Sequence, residues 1–69
     1  MTYPKYYKTT AHNVKVLSET SSLWVTKKRT EEHDFNTQEI LENLKATESN
    51  ENEFLKAFNK TSKYLKSLI

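Results

Sequence analysis

Sixty-nine residues without a single cysteine or glycine make at most one small domain, residues 1–69. The missing thiols exclude disulfides and thiolate metal sites, and the missing glycines exclude phosphate-cradling loops and dinucleotide fingerprints, whose backbone must approach phosphate closely. Net charge is only +2, but residues 1–30 carry six basic groups against one acidic, residues 31–53 one basic against eight acidic, and residues 54–69 four basic and no acidic.

Residues 1–35 read as strands. Tyr3 to Thr9, Asn13 to Glu19 and Ser22 to Lys28 are rich in Tyr, Val, Thr and Trp, and the polar breaks Thr10-Ala11-His12 and Thr20-Ser21 separate them. Breaks so short predict an antiparallel meander. Without glycine, its turns must use Asn, Ser, Thr and His. Alternation within each strand predicts one face carrying Tyr7, Val14, Val16, Leu23 and Val25, the expected core side. The opposite face then carries Tyr6, Leu17 and Trp24 among Lys8, Lys15 and Lys28, with Arg29 adjacent. His33-Asp34-Phe35 offers a short fourth strand.

The middle segment, residues 36–47, has two readings. Asn36 with Glu39 forms a capping-box pattern, and Ile40, Leu41 and Leu44 fit one face of a short helix. Ile40, Leu44 and Ala46 also keep the parity of a strand, but the propensities of Gln38, Glu39, Leu41, Glu42, Leu44, Lys45 and Ala46 favour the helix.

Residues 50–68 read as a helix. Asn50 with Glu53 repeats the capping pattern, and Phe54, Ala57, Phe58, Thr61, Leu65 and Leu68 recur at three- and four-residue steps. Glu51 and Glu53 open it and Lys60, Lys63 and Lys66 follow, an order that complements the helix dipole. This helix is expected to cover the apolar sheet face. The expected fold class is therefore α+β: a meander of three or four antiparallel strands packed by a long C-terminal helix, with a short middle helix.

No reaction is legible in the sequence. Glu31, Glu32, His33 and Asp34 crowd together, but neighbours on a strand point to opposite faces, whereas a metal needs convergent ligands. His12, His33 and the many Ser and Thr residues form no nucleophile signature. We expect no enzyme, no cofactor and no metal. The residues expected to bind a partner are Tyr6, Lys8, Lys15, Leu17, Trp24, Lys28 and Arg29. Trp and Tyr anchor protein interfaces, and lysine stems line their rims. The leading expectation is a non-catalytic protein-interaction module. The alternative is a nucleic-acid or nucleotide binder that stacks bases on the same aromatics and tracks phosphates with the same cations.

A chain this short buries only about 60% of the surface its unfolded form exposes. Self-association is therefore expected, beside a second, unidentified protein partner. The longest apolar run is Leu23-Trp24-Val25, so no membrane span is expected, and the start lacks a signal-peptide pattern, which makes the cytoplasm the expected compartment.

Tyr3-Pro4-Lys5-Tyr6-Tyr7-Lys8, opening a meander, resembles the start of small bacterial and phage proteins. Asn52-Glu53-Phe54-Leu55-Lys56-Ala57-Phe58-Asn59-Lys60 with Tyr64-Leu65 resembles their closing helix. That resemblance implies an α+β architecture with a terminal helix and no established activity. By analogy it also suggests a phage-type inhibitor of a host protein, acting in the host cytoplasm.

Overall fold

The computed structural model describes residues 3–34 and 36–69. Its elements run β1 (Lys5–Lys8), β2 (Asn13–Ser18), β3 (Ser21–Val25), β4 (Thr30–His33), α1 (Thr37–Asn43), β5 (Thr47–Glu48) and α2 (Glu51–Ser67). The five strands form one antiparallel sheet in the order β4-β3-β2-β1-β5. The fold is α+β, with one strand more than the expected meander. The fourth strand comes earlier than His33-Asp34-Phe35 suggests, at Thr30–His33, and Phe35 lies outside the described residues.

The middle segment follows its helical reading, but over a shorter stretch, and Ile40, Leu44 and Ala46 form no strand. Thr37–Asn43 is helical, and the chain then leaves the helix to lay Thr47 and Glu48 beside Lys8 and Tyr7. The switch is made at Lys45, which takes a left-handed φ of 55°. Its N–H donates to the Glu42 carbonyl and that of Ala46 to the Leu41 carbonyl, a paired closure of the last turn that usually rests on glycine. Ala46 and Leu41 both pack in the core cluster, so the apolar contact that accompanies this cap is present as well.

Since β4 and β5 are the opposite edges, the chain between them crosses the whole sheet, and α1 covers one face on the way. Val14, Val16, Trp24 and Leu41 form the cluster there, with Tyr3, Tyr7, Ile40 and Ala46 packed around it. α2 then covers the other face, with the Tyr6 ring 5.7 Å from Phe54. The arrangement is three layers deep, helix on sheet on helix, and each face has its own small core.

This overturns the expected partition of β3. A two-residue turn at Glu19-Thr20 pairs Ser18 with Ser21, and an unbroken ladder from there would set Val14 opposite Val25. The register instead shifts between Val16 and Ser18, so Val16 faces Ser22 and Val14 faces Trp24. One extra residue in β2, Leu17, moves every later side chain of β3 to the other face. Trp24 therefore joins Tyr7, Val14 and Val16, while Leu23 and Val25 join Tyr6 and Lys15. The C-terminal helix lies on this second face, not on the Val14/Val16 face.

Both buried faces are closed by polar anchors. Ser22 is wholly buried and accepts from Trp24 Nε1 at 2.8 Å and from Thr37 Oγ1 at 3.0 Å, which ties the first turn of α1 to the sheet. On the other side Thr61 is buried in the apolar stripe of α2, and its Oγ1 donates to the Thr26 carbonyl. The stripe holds from Phe54 to Leu65 and then runs past the sheet, leaving Leu68 66% exposed. α2 begins as its sequence predicts, with the Asn50 side chain accepting from the Glu53 N–H at 2.9 Å. Asn36 makes no such bond, so the capping pattern at α1 is matched in sequence only.

Candidate functional site

Two loops lie side by side at one end of the sheet, because Asn13 and Val25, which adjoin them, are paired. Both are built the same way. In the first, Thr9 Oγ1 accepts from the Ala11 and His12 N–H groups while the Thr9 N–H donates to the His12 carbonyl. In the second, Thr26 Oγ1 accepts from the Lys28 and Arg29 N–H groups while the Thr26 N–H donates to the Arg29 carbonyl. A threonine hydroxyl thus folds each four-residue loop in place of the missing glycine. The second loop falls inside the stretch expected to be strand, since β3 ends at Val25 and not at Lys28.

α2 passes across this end and is pinned there by the Thr61–Thr26 hydrogen bond. Between helix and loops lies an open groove of about 830 Å³. The apolar residues of its lining are Ala11, Val25 and Ala57. Its rim is cationic: Lys27, Lys28 and Arg29 from the loop and Lys60 from the helix, with no carboxylate among the lining residues. Arg29 is held by Glu31 at 3.1 Å, outside the lining. His12 stands at the lip with its ring edge-on to Trp24 at 5.2 Å.

The sequence-derived binding residues do not form one surface. Trp24 is 5% exposed under α1, with the His33 ring also edge-on to it at 6.0 Å. Tyr6 is half-buried on the opposite face beside Phe54, and the Lys15 ammonium lies 5.9 Å from its ring. Leu17 is 42% exposed at the register shift. Lys8 is exposed on the α2 face, one residue before the first loop. Only Lys28 and Arg29 line the groove. Thr9, Thr26, Lys27, Lys60 and Thr61 were not singled out as binding residues. Thr61 carried a usable signal, since a polar residue central to an apolar helical stripe has to find a partner once buried.

Glu31 and His33 project on one face and meet at 3.3 Å, while Glu32 projects on the other. Among the described residues, no group of three or more His, Cys, Asp or Glu side chains is placed to hold a metal ion. No described helix is long and apolar enough to cross a membrane. No family model matches the chain, nor does any curated protein or solved structure.

Proposed function

We propose that this chain is a non-catalytic protein-interaction module that receives an acidic, partly apolar segment of a partner protein in the groove between its two threonine loops and α2. The observation that carries this reading is the lining itself, where Lys27, Lys28 and Lys60 stand beside Ala11 and Ala57 with no carboxylate among the lining residues, while Arg29 is already paired with Glu31. Such a site attracts negative charge from a distance and gains contact area from its apolar residues once the segment is seated. Masking an acidic segment in this way is how a small inhibitor acts, which is the role the family resemblance suggests by analogy.

A nucleic-acid strand is the second reading, favoured by the same cations. The lining has no Tyr, Trp or Phe on which bases could stack, and stacking supplies about 1–3 kcal/mol per base in single-strand binders. That shortfall favours protein. Fluorescence anisotropy decides between the two with a labelled peptide of alternating Glu and Leu and a thymidine oligonucleotide of equal charge. The expected result is peptide binding that weakens with salt and falls about tenfold, ~1.4 kcal/mol, in Lys28→Glu/Lys60→Glu. Tight binding of the oligonucleotide alone would transfer the site to the nucleic-acid reading, and binding of neither at low salt would remove both.

A further inference from the structure

The cationic groove and the main acidic surface of this chain lie on opposite sides of its sheet. The groove belongs to the α2 side, through Val25, Ala57 and Lys60. The α1 side presents Glu39 and Glu42 exposed on the helix. Glu31 and Glu48 flank them on that same sheet face, through their pairing with Trp24 and Tyr7. Lys5 lies on the same sheet face through its pairing with Val16, Lys45 follows the helix, and Glu31 is already held by Arg29 at 3.1 Å, so Glu39, Glu42 and Glu48 carry the negative charge of this side. Leu44, 48% exposed, closes α1 two residues beyond Glu42 and gives the acidic surface an apolar point. Glu51 and Glu53 occupy the first turn of α2 and are not among the residues that line the groove.

Arg29 and Glu31 already meet within the chain at the β4 edge, but Glu39 and Glu42 lie on the face away from Lys28 and Lys60 and form no ion pair with them. These two surfaces can meet between chains. Resting on the reading of the groove as a site for an acidic protein segment, we infer that one of its occupants is the α1 surface of a second copy. Glu39 and Glu42 would approach Lys28 and Lys60, and Leu44 would cover the apolar lining at Ala11 and Ala57. The contact joins unlike surfaces, so each bound copy still offers a groove at one side and an acidic helix at the other. Association of this kind is head-to-tail and open-ended, and does not stop at a two-fold dimer. Exposed ion pairs are individually weak, so assembly is expected only near ~1 mM protein and low salt.

Sedimentation equilibrium of the whole chain tests this. At about 0.01 M salt the weight-average mass should rise steadily with concentration above the monomer mass of 8.2 kDa. At about 1 M salt, where the screening length shrinks to ~3 Å, it should return to that value. Lys28→Glu/Lys60→Glu and Glu39→Lys/Glu42→Lys should each sediment as monomers, and mixing them should restore association, since each supplies the charge the other lost. A wild-type chain that stays at monomer mass at ~1 mM and low salt overturns the inference. So do a closed dimer that grows no further and a mixture that stays monomeric. If the acidic peptide still binds the groove in those cases, the groove is a site for an acidic segment and only the second copy is wrong as its occupant.

Discussion

Val14 lies directly opposite Trp24 across the β2–β3 ladder, one position away from where the turn between these strands would have set it. The whole partition of the core follows from that pairing. With Trp24 on the α1 side, the largest apolar side chain of the sheet fills the cluster with Val14, Val16 and Leu41. The other face is left to Tyr6, Leu23 and Val25, and α2 packs there with Phe54 against the Tyr6 ring.

Deleting Leu17 removes the extra residue of β2, and the unbroken ladder started at Ser18–Ser21 then sets Val16 opposite Ser22 and Val14 opposite Trp24, the pairing the protein already has. The core under α1 should therefore keep its indole. Against a domain stability of about 5–15 kcal/mol, urea unfolding should show only a small change. Acrylamide should reach Trp24 no more readily than in the parent chain. An exposed indole with a loss comparable to Trp→Ala, about 3–5 kcal/mol, would mean that Leu17 does more than take up the register shift.

Ser22→Ala takes the shared acceptor away from Trp24 Nε1 and Thr37 Oγ1 at a site with no water access. Loss of a buried partner costs about 1–3 kcal/mol, read as a lower urea midpoint at constant slope. Because Thr37 opens α1, the near-ultraviolet signal of Trp24 should change with it. A neutral result would show that this anchor contributes nothing.

Lys45→Gly should stabilise the protein. A side chain at left-handed φ costs about 1–2 kcal/mol, and glycine avoids it while giving back part through a more flexible unfolded chain. A net gain of about 0.5–1 kcal/mol in denaturant unfolding is expected. Lys45→Ala, which keeps the Cβ and loses the charge, should show no such gain and so separates backbone geometry from electrostatics.

The two asparagines that look alike in sequence should behave differently. Asn50→Ala removes a formed cap on α2 and should cost about 1 kcal/mol. Asn36→Ala removes no cap bond, and its effect on unfolding should stay within about 0.5 kcal/mol. Equal losses would place the Asn50 effect in general helix propensity.

What the sequence determined by itself is local. The C-terminal helix was legible because its stripe from Phe54 to Leu65 and its cap at Asn50 are set by contacts within a turn or two of the chain. The first three strands, the helical start of the middle segment and the threefold division of charge were legible for the same reason, whereas β5 was not. The tertiary structure decided which face each strand residue occupies. That choice depends on one unpaired residue at Leu17, and alternation within a strand fixes parity but not its phase against a neighbour. It also decided the candidate site. Lys28 and Arg29 stood out in sequence as neighbours of Trp24, yet the fold buries the indole and joins these cations to Lys60, thirty-odd residues away. Their meeting follows from the packing of α2 on the sheet, with Phe54 against Tyr6 and Thr61 bonded to Thr26, which neither segment could announce alone.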